Sequence, residues 1–226
     1  MIGAVWGIAK YSGYFLTGVQ YTLGLSFLSV LIGTLIGSIV AFAKMSECKP
    51  AALLASAYIE VLRGTPLITQ LFIVFFGCAV IFDTKTWGLS ISTLAFLAGL
   101  IAVSLNSGAY VAEIIRSGIQ SVDKGQMEAG RSLGMSKGMT MREIVLPQAT
   151  KNILPALGNE FVTVIKETSI VSVIGVTDIM YNVNIVRGMS FRPMEPLFMA
   201  GILYFVLTFT LSKIIDRWER KLKESD

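Results

Sequence analysis

The sequence predicts an all-α membrane protein with five transmembrane helices. Hydrophobic residues make up 54% of the 226 positions and charged residues only 15%, against about 25% charged residues in soluble domains. The run from Thr22 to Lys44 carries its one charge at its last residue and has about the ~20 apolar positions that a spanning helix needs. The chain therefore reads as one transmembrane domain over residues 1–226, with spans at roughly 20–43, 64–82, 89–112, 153–177 and 196–214.

The composition also excludes several kinds of site. The chain has no histidine, so an imidazole base, an imidazole metal ligand or a histidine pH switch cannot exist in it. Two cysteines, Cys48 and Cys78, provide neither the number nor the spacing of a disulfide framework or a zinc site. We therefore predict no catalytic residue and no metal site, and the net charge of +4 is interpreted as a topology signal rather than as nucleic-acid binding.

The basic residues indicate the orientation of the chain. Five spans place the two termini on opposite sides, and most Lys and Arg then fall on the side of the 116–151 loop and the C-terminal tail. That side holds Lys44, Lys49, Arg116, Lys124, Arg131, Lys137, Arg142, Lys151, Lys213, Arg217, Arg220, Lys221 and Lys223, and the other holds Lys10, Lys85, Arg187 and Arg192. Because basic residues accumulate in cytoplasmic loops, we predict a cytoplasmic C-terminus and an external N-terminus.

The first span and the residues before it have two distinct patterns. Residues 1–20, with aromatic side chains among glycines, are predicted to form an amphipathic interfacial segment, or alternatively an extension of the first helix. Ser29, Gly33, Gly37 and Ala41 recur every four residues, and small residues on one face let helices approach closely in lipid. This stripe predicts a packed face, against another helix of the chain or against a second subunit.

A break is predicted between two apolar segments around the second span. Residues 51–62 form either a cytoplasmic interfacial helix or the start of a long span. The stretch from Arg63 to Pro66 favours a kink, because proline removes a backbone donor and disfavours helix at its predecessor. Arg63 is expected to pair with Glu60 or Glu167 as a structural contact.

The cytoplasmic loop, about 116–151, is long for a simple connection. Its composition predicts a short helix from Asp123, as N-cap, to Gly134. A second short helix, roughly Thr140 to Val145, is predicted to stop before Pro147. Such a helical hairpin is either a rigid element that docks on a soluble partner or a solvated interfacial loop.

The loop also carries a specific motif. Glu128, Ala129 and Gly130 are followed by Gly134 and, nine residues later, by Ile144, Val145, Leu146 and Pro147. This spacing resembles the EAA signature of ABC importer permeases, with Gly130 where alanine is usual. The stretches RGTPL at 63–67, NSGAYVAE at 106–113 and KETS at 166–169 resemble the polar amino-acid uptake branch of that family.

The resemblance implies a type I ABC importer permease fold and a set of partners. In the family, the EAA segment is a coupling helix in a cleft of a separate ATP-binding subunit, so Glu128, Ala129, Gly130, Gly134, Ile144, Leu146 and Pro147 are the predicted coupling residues. It implies two ATP-binding subunits that hold ATP and Mg, a second permease that is the same or a similar chain, and an extracytoplasmic amino-acid-binding protein. This chain lacks a phosphate-binding loop and is expected to bind no cofactor itself.

Charged residues within the fourth span are candidates for the substrate pathway, because charges at bilayer depth are costly. On a helical projection, one 120° sector at about 100° per residue holds Asn159, Glu160, Thr163, Lys166 and Glu167. These groups could meet the carboxylate and ammonium of an amino acid, or could form an internal ion-pair network with Arg63, Glu113 or Arg116. Asn106, Ser107 and Tyr110 line the same cavity or hydrogen-bond between helices.

The sequence therefore favours a permease subunit of an ATP-driven importer of polar amino acids in a bacterial cytoplasmic membrane. An ion-coupled secondary transporter is the main alternative, but five spans do not divide into the two repeats common there. A channel or scaffold explains neither the long loop nor the charged span. The cargo and the choice between a homodimer and a heterodimer stay open.

Overall fold

The protein is described by a computed structural model that covers residues 10–81 and 88–223. Within these ranges the chain is almost entirely helical. The α-helices are α1 (Ser12–Lys44), α2 (Lys49–Gly64), α3 (Leu67–Ile81), α4 (Ile91–Gln120), α5 (Lys124–Ser132), α6 (Lys137–Thr140), α7 (Leu146–Glu167), α8 (Ile179–Ser190) and α9 (Glu195–Lys223). A π-helical turn, Met141–Val145, joins α6 to α7, and a 3-10 segment, Thr168–Ile174, follows α7.

Three helices, α1, α4 and α9, are long and apolar enough to cross a membrane singly. Two further spans are bent pairs. The axes of α2 and α3 differ by 108°, and the helical run Lys137–Ile174 differs from α8 by 52°. Counting each bent pair as one span gives five within the described residues. The all-α prediction is confirmed and the number of spans agrees with it, although several bounds differ.

The small-residue stripe of α1 packs against α4 of the same chain. A Cβ atom on Gly37 would lie 2.7 Å from the Gly108 carbonyl oxygen and from the Val111 side chain, and one on Gly33 would lie 3.1 Å from Ser107 Cβ. Backbones this close are possible only because glycine has no side chain. Of the two partners that the sequence left open, the described structure places a helix of this chain on the stripe.

The predicted kink between α2 and α3 is confirmed. Pro66 has no N–H to donate to the carbonyl of Leu62, four residues earlier. That carbonyl accepts instead from the side-chain amide of Gln70 at 2.8 Å and from that of Asn106 at 3.3 Å. Asn106 also donates to Gln70 Oε1 at 3.0 Å, so two amides satisfy the carbonyl that the break leaves unpaired.

Two boundaries differ from the predictions. Of the two alternatives for residues 1–20, the extension of the first helix is confirmed from Ser12 onward and the interfacial segment is wrong there, because α1 begins at Ser12 and Phe15 is buried against Ile179 and Val183 of α8. Residues 1–9 lie outside the described ranges. Span three does not end near residue 112. The helix α4 runs to Gln120 because Ile115 and Ile119 still have buried partners in Ala149 and Ile153 of α7.

Two further expectations for the second half of the chain need correction. The second short helix does not stop before Pro147 but continues through the π-helical turn into α7. The wider turn accommodates the proline, which occupies the first turn of α7, where its missing N–H costs little. The stretch between the fourth and fifth predicted spans, 178–195, is expected to be an outer loop, yet it contains α8, whose first turn is capped by Asp178.

We expect Gly37→Ala to destabilise the protein by about 1–3 kcal/mol, because the added methyl group overpacks the α1–α4 contact. The matched control is Gly24→Ala on the same helix, where a Cβ meets nothing within 4 Å. Thermal unfolding of both variants in the same detergent should lower the midpoint for Gly37→Ala only. Equal shifts would contradict the assigned contact.

Candidate functional site

The loop that carries the EAA motif is an ordered helical hairpin. Asp123 caps α5 as predicted, accepting a hydrogen bond from the Gly125 N–H at 2.7 Å. The helix ends at Ser132, and Gly134 adopts φ 84°, in the left-handed region that favours glycine. The Met135 N–H then donates to the Gly130 carbonyl at 3.1 Å, a bond typical of glycine-terminated helices.

The two arms of the hairpin meet at Gly130. A Cβ at this position would lie 2.5 Å from Thr140 Cγ2 and 3.1 Å from Ile144 Cδ1, and Thr140 is fully buried. Glycine in place of the usual alanine therefore allows α5 to approach the π-helical turn more closely than alanine permits. The hairpin is held by this close contact in addition to its backbone hydrogen bonds.

The predicted coupling residues fall on two sides of the hairpin. Glu128, Ala129, Gly134 and Pro147 are exposed, whereas Gly130 is buried and Ile144 and Leu146 are half-buried. Two apolar side chains nearby are also exposed, Leu133 by 83% and Met139 by 53%. The hairpin thus presents a mixed polar and apolar surface to its surroundings while its other side packs inward.

The inward side joins the hairpin to the membrane helices. Val145, Ala149 and Ile153 pack in one buried cluster with Ile115 and Ile119 of α4. Because α6, the π-helical turn and α7 form one continuous helical run, a displacement of the hairpin would move both α4 and α7. This geometry provides the mechanical connection that a coupling element requires.

A salt bridge also connects the hairpin to the turn between α1 and α2. Lys137 Nζ lies 2.6 Å from Glu47 Oε1 on the exposed surface. The hydrogen bond from Lys137 holds the pKa of Glu47 below its ordinary value. A surface pair of this kind adds little stability, so we assign it to positioning.

The predicted polar sector of α7 is divided by the fold. Glu160 is 8% exposed and accepts a hydrogen bond from Ser107 Oγ of α4 at 2.9 Å. Thr163 and Glu167 are half-buried, whereas Asn159 and Lys166 are exposed on the surface of the single chain. Within the single chain, the sector is therefore divided between a buried carboxylate at Glu160 and exposed side chains at Asn159 and Lys166, and its assignment to the substrate pathway stays a prediction.

Two of the three α4 residues predicted to line the pathway, Asn106 and Tyr110, have other contacts in this structure. Asn106 supports the α2–α3 kink, as described above. The ring of Tyr110 lies under the guanidinium of Arg63, with 5.2 Å between the guanidinium carbon and the ring centroid. Neither residue contacts Glu160 through a hydrogen bond in the described part of the chain, and their assignment to the substrate pathway stays a prediction.

The sequence predicted Arg63, Glu113 or Arg116 as partners of the span-four charges, but it missed that Glu113 is itself the centre of an ion-pair cluster. Glu113 lies 2.8 Å from Lys44, 2.7 Å from Arg116 and 3.8 Å from Arg63, so it joins α1, α2 and α4. The predicted pairing of Arg63 with Glu60 or Glu167 is therefore wrong. A central acid among three cations was detectable only as an i, i+3 pair with Arg116, because the other partners come from distant segments.

The comparison with known proteins gives a direct identification. The model of the family described as "Binding-protein-dependent transport system inner membrane component" matches residues 33–224. The chain belongs to this family. Its membership confirms the predicted permease resemblance and a multi-pass location in the cytoplasmic membrane.

The curated relatives match over almost their full length. The arginine transport system permease protein ArtQ of Bacillus subtilis is 42% identical over 94% of both chains. A putative glutamine transport system permease protein of Rickettsia felis is 39% identical over 92% of this chain and 93% of its own. The nopaline transport system permease protein of Agrobacterium fabrum is 36% identical over 88% and 84%.

Solved structures agree with the fold. The crystal structure of an amino acid ABC transporter with histidines contains a chain with a TM-score of 0.86 and 49% identity, covering 95% of this chain and 96% of that one. The MetNI methionine ABC transporter in an inward-facing conformation gives a TM-score of 0.78 at 19% identity, with 92% and 96% covered, which supports the fold alone. The type I importer permease fold is thus confirmed.

These findings also confirm that the chain is a translocation subunit rather than an enzyme. The relatives are named as permease proteins of transport systems, and the ATPase of such a system resides on a partner subunit. An ATP-binding partner and a substrate-binding protein follow from family membership.

Proposed function

We propose that this chain is the permease subunit of an importer that moves polar amino acids across the cytoplasmic membrane by alternating access. The observation that carries the proposal is the EAA hairpin, packed rigidly on the inner ends of α4 and α7. The relatives named for arginine, glutamine and nopaline support a polar amino acid or a compound derived from one. ATP and Mg belong to the separate ATP-binding subunits, since this chain lacks a phosphate-binding loop.

The assembly that we propose contains two permeases, two ATP-binding subunits and one external amino-acid-binding protein. The exposed Lys166 supports the second permease. The hydroxyl oxygen of Thr168, two residues later, lies 3.4 Å from that of Ser26. Because Ser26 is near the middle of the 33-residue α1, Lys166 lies at bilayer depth. A charge there is costly in lipid, and a second subunit, the same or a similar chain, would enclose it in an aqueous pathway.

The substrate site that we propose lies on the α7 face that includes Glu160 and Lys166, with Asn159, Thr163 and Glu167 beside them. Lys166 would meet the α-carboxylate of the amino acid, and Glu160 would meet a cationic group. Burial of the Glu160 carboxylate strengthens such a contact, because the effective dielectric is lower than in water. Asn106 and Tyr110 complete the proposed pathway from α4.

The orientation that we propose places the hairpin and the C-terminus in the cytoplasm and the N-terminus outside, on the charge asymmetry given above. The native Cys48 tests this orientation, since it is exposed in the turn between α1 and α2. In a Cys78→Ser background, a membrane-impermeant maleimide should label Cys48 in inside-out vesicles and not in intact cells. Labelling of Cys48 in intact cells would contradict the proposed orientation and indicate the opposite one.

Coupling through the hairpin is tested by Glu128→Lys. This residue is exposed on α5, so the exchange should leave membrane insertion and thermal stability unchanged. ATP-dependent uptake should be lost, because the exchange reverses the charge that position 128 presents to the ATP-binding subunit. The assay is uptake by proteoliposomes that contain the complete transporter. The same exchange at Glu60, exposed on α2, is the control and should retain uptake.

Normal uptake by Glu128→Lys would contradict the coupling role. Uptake by the purified chain alone, without ATP or partners, would instead support a secondary transporter. Crosslinking from a cysteine placed at Ala129 provides an independent measurement, which should capture the ATP-binding subunit.

The substrate role of Glu160 is tested by Glu160→Gln. Loss of one hydrogen bond to a charged group is worth about 1.5–3 kcal/mol, so the half-saturating substrate concentration should rise about 10- to 100-fold. Ser107→Ala is the matched control, because it removes the hydrogen-bond partner and leaves the carboxylate charge. Equal effects of Glu160→Gln and Ser107→Ala on uptake would show that Glu160 has a structural role and does not contact substrate. A thermal destabilisation by Glu160→Gln large enough to explain the lost uptake would lead to the same conclusion.

A further inference from the structure

The last helix extends beyond the membrane at its cytoplasmic end. It has 29 residues and a length of about 43 Å at 1.5 Å per residue, against about 30 Å for the hydrocarbon core of a bilayer. The predicted span ends near residue 214, so the last turns of α9 lie at the level of the inner headgroups and beyond.

These last turns have a basic face. At about 100° per residue, one side of α9 holds Lys213, Arg217, Arg220 and Lys221. Asp216 lies 3.7 Å from Lys213, and Glu219 lies on the opposite side of the helix by the same projection. The positive charge is therefore concentrated on Arg217, Arg220 and Lys221, all of which are exposed.

An apolar groove begins directly beside this face. It has a volume of about 470 Å³ and lies between the middle of α7, at Leu154, Pro155, Leu157 and Gly158, and Ile215 of α9. Leu154 is 49% exposed, so the groove is open along the side of the chain. A Cβ on Gly158 would lie 2.9 Å from Ile215 Cγ1, which shows how closely the two helices meet at the floor of the groove.

The groove and the basic face are continuous. The open surface of α9 beside the groove is lined by Ile214, Arg217, Trp218, Arg220 and Lys221, and Trp218 and Lys221 line the apolar groove as well. Trp218 is 67% exposed, and tryptophan is a side chain that favours the headgroup level of a membrane. An apolar channel therefore ends at a tryptophan and three cations.

We propose that an anionic phospholipid of the inner leaflet binds here, with its headgroup on Arg217, Arg220 and Lys221 and an acyl chain in the groove between α7 and α9. Charge complementarity decides the class of ligand. Basic pockets between membrane helices on the cytoplasmic side suit anionic headgroups, and a zwitterionic lipid would leave the three cations uncompensated. A site that joins α7 to α9 would also fix the helix that carries Glu160 against the lipid-facing helix α9.

The experiment uses the three tryptophans of the chain. Trp6→Phe and Trp87→Phe leave Trp218 as the single tryptophan. The full-length chain is reconstituted in phosphatidylcholine vesicles of two kinds. One kind contains phosphatidylglycerol brominated near the start of the acyl chains, and the other contains phosphatidylcholine brominated at the same place. We expect brominated phosphatidylglycerol to quench the fluorescence of Trp218 more strongly than brominated phosphatidylcholine does. The affinity for phosphatidylglycerol should be at least about tenfold higher than that for phosphatidylcholine, because each basic residue near an anionic surface contributes about fivefold.

Further variants test the headgroup contact and the acyl-chain contact separately. Arg217→Gln, Arg220→Gln and Lys221→Gln together should abolish the preference, whereas Lys49→Gln, Lys124→Gln and Arg142→Gln, which remove the same charge elsewhere, should retain it. Leu154→Gln keeps all the cations, and its polar group in the groove should reduce quenching by the brominated acyl chain. The proposal is overturned by equal quenching from the two lipids, by a preference that survives the first triple substitution, or by no quenching at all, which would assign this surface to a protein partner.

Discussion

The close contact between α1 and α4 is the constraint on which the rest of the fold depends. Gly33 and Gly37 bring the two backbones so near that a side chain at either position would meet α4. Since lipid offers no hydrophobic drive between helices, this fit holds α4 in the bundle. The position of α4 in turn determines where Ser107 meets Glu160 and where Glu113 meets Lys44 and Arg63.

Helix α4 therefore connects three parts of the molecule that differ in chemistry. Its middle carries the polar contacts, to the α2–α3 kink through Asn106 and to α7 through Ser107. Its inner third carries the ion pairs of Glu113, and its last turns carry the apolar contacts of Ile115 and Ile119 with the hairpin and α7. The hairpin is continuous with α7 through the π-helical turn and packs on α4, the helix that also contacts α1 and α2.

Local signals predicted much of this architecture, and contacts between distant segments explain what they missed. Apolar runs located the spans, Pro66 located the kink, and Asp123 and Gly134 located the ends of the first hairpin arm. The boundary of α4 was misplaced because charges at Glu113 and Arg116 resemble the start of a loop, whereas these two residues pair with each other and Ile115 and Ile119 are buried, so the helix continues. The helical projection of α7 placed five polar residues together but could not show that packing would bury Glu160 and leave Lys166 at the surface of one chain.

The π-helical turn at Met141–Val145 sets the rotational phase between the cytoplasmic hairpin and the fourth span. A π-helical turn contains more residues than an α-helical turn, and each residue added to or removed from an α-helix rotates everything beyond it by about 100°. With a regular turn here, Thr140 would swing away from Gly130, and the face of α5 that carries Glu128 would point elsewhere relative to Glu160. This one widened turn therefore fixes the angle between the hairpin and the membrane-spanning part of α7.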